Sequence, residues 1–179
     1  MIRVAIVDDH AIVRTGLRQF LSEQVDLRVT GEAANGREAL ELARGGETDV
    51  MLMDLSMPDQ GGVDALAAIK ARFPDLHVLI LSGFPESHYA TTLLRQGASG
   101  YINKEADPEE IVKAIRTVAL GRRYITPAVA EMLADGMAAG GDRPAHETLS
   151  ERELQVFLRL AKGETIGHMA ESMFLSVKT

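Results

Sequence analysis

Three acids, one hydroxyl and one amine follow apolar runs in the first 104 residues. They are Asp8, Asp9, Asp54, Ser82 and Lys104. Carboxylates that are crowded together repel one another unless a cation neutralises them. Mg²⁺ typically binds through one or two carboxylates, several waters and a substrate phosphate. An aspartate can also attack phosphorus, in a reaction that depends mainly on positioning and charge neutralisation. These residues predict phosphoryl chemistry if the fold brings them together.

Five apolar runs read as buried strands: residues 2–7, 27–33, 50–53, 78–81 and 101–102. Segments with a 3.6-residue apolar period follow them in turn, at residues 12–21, 37–43, 63–73, 89–96 and 109–120. Strands that are apolar throughout and alternate with helices predict a parallel sheet covered on both faces. The fold class is therefore a doubly wound α/β domain. Ligands of such sheets bind beyond the carboxyl ends of the strands, where all five residues would lie.

Composition narrows the class of protein. The chain has 179 residues, 46% apolar and 25% charged, which is typical of a soluble globular protein. It has no cysteine, which excludes disulfides and cysteine metal sites. The net charge of −7 argues against nonspecific binding of polyanions. No signal peptide or membrane-spanning apolar run is recognised, so we expect a cytoplasmic protein with no membrane partner.

Glycines and prolines divide the chain. Pro108 opens the fifth helix, while Gly97 and Gly121 follow the fourth and fifth helices. We predict a first domain over residues 1–121 and a linker over 122–147 that contains a short helix at 127–137. A second unit over 148–179 begins with a capping box formed by Ser150 and Glu153. Its helices are expected to run to residue 162, over 166–173, and onward from residue 176.

Four motifs carry a resemblance to a known family. They are VDDH at 7–10, MDLSMP at 53–58, LSG at 81–83 and INK at 102–104. In these motifs the chain resembles a CheY-like receiver domain. Residues 148–179, with their LSERE start and LS-x-KT stretch, resemble the opening of a LuxR-type helix-turn-helix domain. The whole is similar to a NarL/FixJ-type two-component response regulator, which implies a five-stranded sheet of order 2-1-3-4-5.

The resemblance also implies a role for each residue of the site. Asp54 matches the phosphoacceptor, and Asp9 matches a direct Mg²⁺ ligand. Asp8 matches an acid that acts on the metal through water, and the Ser56 carbonyl matches a further ligand. Lys104 matches the residue that neutralises the phosphoryl oxygens.

Two further residues match a conformational switch. Ser82 resembles the hydroxyl that moves to bond the phosphoryl group, and Tyr101 resembles the aromatic residue that changes rotamer with it. The chain departs from the commonest family pattern at two points. Ser82 stands where threonine is frequent, and Glu105 stands where many receivers have proline. Neither change removes an implied ligand.

The function expected from this resemblance is transcription regulation controlled by phosphorylation. A sensor histidine kinase would donate the phosphoryl group, and dimerisation and DNA binding would follow. The protein would catalyse only its own phosphorylation and dephosphorylation, and is otherwise not an enzyme. The recognition helix would start at Ser176 and is cut off after one turn, so we expect weak or no DNA binding by this chain.

Other functions stay open at this point. A short receiver could act through protein contacts, or as a dominant-negative partner of a longer relative. An Mg²⁺-dependent phosphatase or a flavin protein could share the fold. The chain lacks the D-x-D signature of the phosphatase, and Asp8 and Asp9 would repel a flavin phosphate after the first strand.

Each residue taken alone also has a purely structural explanation. Asp9 could cap a helix, Asp54 could belong to a turn, Ser82 could end a strand, and Lys104 could be a surface charge. Tyr101 could be core. Jointly, however, these residues favour the functional interpretation.

Three smaller expectations complete the sequence analysis. His10 is expected to be a residue of the first helical turn rather than a phosphoryl donor. Met51 and Met53 are expected to fill the core rather than bind a metal. Residues 59–62 are expected to form a turn.

Overall fold

A parallel β-sheet forms the centre of the computed structural model, which describes residues 1–57, 61–138 and Val156. The strands are β1 (Ile2–Val7), β2 (Leu27–Ala33), β3 (Val50–Met53), β4 (His77–Ser82) and β5 (Gly100–Asn103). The five strands lie in the order β2-β1-β3-β4-β5, and every neighbouring pair is parallel. The predicted doubly wound α/β class and strand order are confirmed.

The connections are helical. The helices are α1 (Ala11–Ser22), α2 (Gly36–Arg44), α3 (Gly62–Arg72), α4 (Glu86–Arg95), α5 (Pro108–Ala119) and α6 (Pro127–Ala138). Their ends lie within one residue of the predicted ends, except that α4 begins at Glu86 rather than residue 89. The first turn of α4 is polar in sequence, so no apolar period marks it. Among the described helices, none combines the length and apolar character needed to cross a membrane.

The core has two apolar layers, one on each face of the sheet. Alternate strand residues point to opposite faces, so Met51 and Met53 belong to one layer and Leu52 to the other. Helices α2, α3 and α4 cover the first face, and α1 and α5 cover the second. Met51 and Met53 are fully buried, which confirms that they fill the core.

Local sequence signals set several helix ends. Asp107 caps α5 by accepting a hydrogen bond from the Glu109 backbone N–H at 2.9 Å, directly before Pro108. Gly97 and Gly121 have φ values of 102° and 75°, which L side chains rarely adopt. Both glycines end helices as predicted.

The expected turn over residues 59–62 is wrong at its last residue. Gly61 is the N-cap of α3, and Gly62 is the first residue of the helix, one residue before the predicted start at residue 63. Residues 59 and 60 lie outside the described residues.

The segment after α5 packs on the sheet domain. The Tyr124 backbone N–H donates to the Ser99 carbonyl at 2.9 Å, and Tyr124 pairs with Gly100 beside β5. Helix α6 packs against α4, and Val129 is 1% exposed within the first apolar layer. The Thr126 hydroxyl also donates to the Glu86 carboxylate. The start of the predicted linker is therefore an ordered part of this packing.

The divisions at residues 121 and 147 stay predictions. Residues 148–179, including the predicted capping box at Ser150 and the helix start at Ser176, lie outside the described residues apart from Val156.

Replacing Val129 with Asp should detach α6 from α4. A carboxylate without a partner is costly to bury, so the helix would leave the apolar layer that Val129 occupies. We expect faster amide hydrogen exchange in residues 127–134 and unchanged exchange in the sheet. Ala130→Asp, on the exposed neighbouring residue, is the matched control. Unchanged exchange in α6 of the Val129 variant would contradict the packing described above.

Candidate functional site

The carboxyl ends of the central strands position the predicted site. Strands β2 and β3 both flank β1, so the strand order reverses there. Backbone hydrogen bonds continue the ladder one residue past each strand: Asp8 N–H to Ala33 at 3.1 Å, Asp54 N–H to Val7 at 2.8 Å, and Lys104 N–H to Ser82 at 2.8 Å. These bonds fix the backbone from which the three charged side chains project.

The acids converge as predicted. One ligand atom from each of Asp8, Asp9, His10 and Asp54 lies within 4.8 Å of the others. Asp8 and Asp54 are each 1% exposed, whereas the Asp9 side chain is 25% exposed. Two carboxylates are thus held away from water, and a third lies at the mouth of the site.

Lys104 completes the cluster. Its Nζ lies 2.5 Å from Asp8 Oδ2 and 2.9 Å from Asp54 Oδ2. Burial alone would lower the pKa of Lys104, but the Asp54 and Asp8 carboxylates more than offset this, and the net shift is upward. The interpretation of Lys104 as a solvated surface charge is therefore wrong.

Opposing effects act on the pKa of the Asp54 carboxyl. Burial raises its pKa above the usual range, while Lys104 and the Ser56 backbone N–H act in the opposite direction. Within the described residues, Oδ1 of Asp54 accepts no hydrogen bond of ordinary length. A buried carboxylate oxygen without a partner is costly unless a cation or donor approaches it. The donor set is compatible with Mg²⁺, which prefers such oxygens.

The start of α1 differs from the expectations that Asp9 could cap the helix and that His10 lies in its first turn. His10, not Asp9, is the N-cap residue, and no side chain makes a capping hydrogen bond there. Asp9 as a helix cap is therefore wrong, and His10 lies one residue before the helix. Its Nδ1 is 2.8 Å from Asp9 Oδ1 and 3.2 Å from Asp8 Oδ1. This contact was not predicted from the sequence, although the position of His10 beside two acids was a signal.

Arg14, in the second turn of α1, contacts the backbone of the site. Arg14 donates from its guanidinium to the Asp8 carbonyl at 2.5 Å, and its Nε lies 3.5 Å from the Glu32 carboxylate. These contacts hold the turn between β1 and α1 in place. Nothing in the sequence spacing marked Arg14, because its partner on β2 is distant along the chain.

Ser82 and Tyr101 meet at the loop after β4. The Ser82 hydroxyl accepts a hydrogen bond from the Phe84 N–H at 3.2 Å, and the Tyr101 hydroxyl donates to the Phe84 carbonyl at 2.8 Å. Both side chains are buried, and burial raises the pKa of the Tyr101 hydroxyl. Tyr101 is thus a core residue with a polar tie to this loop. The switch roles of Ser82 and Tyr101 stay predictions.

Replacing Lys104 with Met should destabilise the metal-free protein. The side-chain length is kept, but the buried Asp8 and Asp54 carboxylates lose their cation, at a cost of roughly 3 kcal/mol. Urea unfolding in the presence of a chelator measures this free energy. Lys113→Met, on the exposed side of α5, is the control and should change stability by less than about 0.5 kcal/mol. Equal stabilities of the two variants would contradict the pairing.

The chain is similar to known proteins in sequence and in fold. Residues 4–116 match the family described as the response regulator receiver domain. The chain is 38% identical over 180 residues to the response regulator UvrY of Escherichia coli O6:H1, covering 100% of this chain and 83% of that protein. It is 40% identical over 181 residues to the response regulator GacA of Pseudomonas aeruginosa, covering 100% of this chain and 84% of that protein.

A solved structure is similar to most of this chain. It is a two-component response regulator of the LuxR family from Aurantimonas sp. SI85-9A1, with 36% identity and a TM-score of 0.70. The match covers 76% of this chain and 97% of that one.

Proposed function

Because the chain belongs to the two-component response regulators of the LuxR-type NarL/FixJ family, we propose that Asp54 accepts the phosphoryl group in its receiver domain. Response regulators interact with sensor histidine kinases and bind DNA. The observation that carries the proposal is the position of Asp54: it is 1% exposed, its Oδ1 accepts no ordinary hydrogen bond from the described residues, and its Oδ2 is 2.9 Å from Lys104 Nζ.

The proposed reaction is a displacement at phosphorus. An Asp54 carboxylate oxygen attacks, a new O–P bond forms, and the bond from phosphorus to the donor breaks. With a phosphohistidine donor, the kinase imidazole leaves with the bonding electron pair. With acetyl phosphate, acetate leaves in the same way. The attacking group must be an anion, and Lys104 favours that anion against the effect of burial.

Lys104 has a second role in this proposal. Its ammonium is 2.9 Å from the attacking carboxylate, so it is near enough to neutralise the oxygens of the transferred group. Phosphoryl transfer depends mainly on this kind of charge stabilisation and on positioning. Asp8 holds the ammonium at 2.5 Å from its own Oδ2, so Lys104 is oriented before any donor arrives.

We assign the Mg²⁺ site to the same cluster. Asp9, Asp54 and the Ser56 carbonyl would bind the ion directly, and Asp8 would act on it through water. When bound, the ion supplies positive charge beside the phosphoryl oxygens. The reactions of the protein itself are limited to its own phosphorylation and dephosphorylation.

The proposed response to phosphorylation involves Ser82 and Tyr101. Ser82 and Tyr101 would rearrange after phosphorylation, since both are tied to the loop at Phe84. Homodimerisation would change as a result, and it would control DNA binding in transcription regulation. The proposed partners are a sensor histidine kinase, a second copy of the chain, and DNA.

Intact mass spectrometry tests the proposal. The protein is incubated with acetyl phosphate, in Mg²⁺ and separately in a chelator. We expect one added phosphoryl group with Mg²⁺ only, and peptide mapping should place it on Asp54. No adduct in Mg²⁺ would overturn the proposal and favour a receiver that works through protein contacts alone.

A further inference from the structure

His10 adds a nitrogen donor to the acidic cluster. Its Nδ1 lies 2.8 Å from Asp9 Oδ1 and 3.2 Å from Asp8 Oδ1, and all four ligand atoms fall within 4.8 Å of one another. The cluster also contains the buried Asp54 Oδ1, which accepts no ordinary hydrogen bond from the described residues. The carboxylates alone suit a hard ion such as Mg²⁺, whereas the imidazole adds a nitrogen ligand of the kind that transition ions bind.

The spacing of these atoms is that of neighbouring ligands on one ion. Octahedral sites hold nitrogen and oxygen ligands at about 2.1 Å from the metal, which places adjacent ligands about 3 Å apart. The distances from Nδ1 to the two carboxylates bracket that value. An ion bound to Asp9 could therefore take His10 Nδ1 as a neighbouring ligand with little movement of the His10 ring.

The position of His10 leaves its ring available for this role. The residue is the N-cap of α1, yet its side chain makes no capping hydrogen bond. The backbone N–H donates to Asp8 Oδ1 at 2.8 Å, which holds the ring next to the acids through the main chain. The side chain is 58% exposed, so an ion can reach it from solvent.

A purely electrostatic pair is the competing explanation. A protonated imidazole beside Asp8 and Asp9 would give the same distances without any metal. The two explanations differ in what a bound ion does: a ligand stays at the metal, whereas a counter-ion is displaced by the incoming positive charge. They can therefore be separated by observing the metal directly.

We propose that His10 is a metal ligand that gives this site a preference for a first-row transition ion, such as Mn²⁺, Ni²⁺ or Zn²⁺, over Mg²⁺. Imidazole suits Ni²⁺ and Zn²⁺ and can also coordinate Mn²⁺, whereas Mg²⁺ is bound through oxygen. This inference rests on the proposed function, because it uses the same cation site. It extends that function by naming a residue that determines which ion occupies the site.

Pulsed electron paramagnetic resonance of bound Mn²⁺ is the primary test. Nitrogen that is coordinated to Mn²⁺ modulates the electron spin echo. We expect this modulation in the wild type and in His77→Ala, and its loss in His10→Ala. His77 lies at the start of β4, at the opposite end of that strand from Ser82, and controls for removal of an imidazole elsewhere. Absence of nitrogen modulation in the wild type, or its persistence in His10→Ala, would overturn the inference.

Calorimetric titration with Ni²⁺ and Mg²⁺ gives an independent readout. The ratio of Ni²⁺ to Mg²⁺ affinity should fall by at least about tenfold in His10→Ala and stay unchanged in His77→Ala. An equal ratio in all three proteins would overturn the inference. The Mg²⁺-dependent adduct on wild-type Asp54 is measured separately, so failure of the His10 inference would leave the phosphoacceptor assignment standing.

Discussion

Asp54→Asn is expected to abolish the phosphoryl adduct formed from acetyl phosphate and Mg²⁺. The amide has nearly the same shape as the carboxylate, so the buried position is kept. It lacks the anionic oxygen that must attack phosphorus. Lys104 would retain its contact with Asp8 Oδ2 at 2.5 Å, so the pocket should stay assembled. The loss should therefore come from chemistry rather than from unfolding.

Asp75→Asn provides the matched control for this prediction. Asp75 is exposed and precedes β4, away from the carboxyl ends of the strands. The control should accept the phosphoryl group at the wild-type rate, and circular dichroism should give the same spectrum for all three proteins. An adduct of undiminished yield in Asp54→Asn would identify a different acceptor and refute the assignment.

Gly62→Ala, at the first residue of α3, is expected to destabilise the protein by about 3 kcal/mol or more. A Cβ on Gly62 would lie 2.2 Å from the Asp54 carbonyl oxygen and 2.6 Å from the Leu55 Cα. Both are backbone atoms, which cannot move aside as a flexible side chain can. Relief of the contact would shift the backbone that carries the proposed phosphoacceptor, so the rate of phosphorylation should fall as well.

The same substitution at Gly16 should have the opposite sign. Gly16 is an exposed residue inside α1, and a Cβ there would have no neighbour within 4 Å. In a helix interior, alanine is more stable than glycine by roughly 0.5–1 kcal/mol. Urea unfolding of both variants measures the contrast. If Gly62→Ala matched the wild type in stability, the close approach of α3 to Asp54 and Leu55, directly after β3, would be wrong.

The sequence predicted the sheet well because its strands are buried on both faces. A run such as Val50–Met53 is apolar at every position, so its limits are visible without knowledge of the fold. Helix α4 was predicted less well. Its first turn, from Glu86, is polar, and its position depends on tertiary contacts such as the hydrogen bond with Thr126.

The site was predictable where its residues end strands. Asp8, Asp54 and Lys104 all follow apolar runs, and parallel strands bring such residues to one edge. His10 was missed because its role depends on which way its ring turns at the start of α1. Arg14 was missed because it lies in α1 and its partner Glu32 lies in β2, far away along the chain. Neither property is encoded by spacing along the chain.

The contact between Tyr124 and Gly100 also bears on how this sheet meets other molecules. An open sheet presents unpaired backbone groups along its outer strands, and such edges can template association with another chain. Here the protein's own chain occupies one such position, since the Tyr124 N–H already satisfies the Ser99 carbonyl at 2.9 Å. A foreign strand could add along that end of β5 only by first displacing residues 122–126. The segment that leads out of the sheet domain thus also protects it against edge-to-edge aggregation.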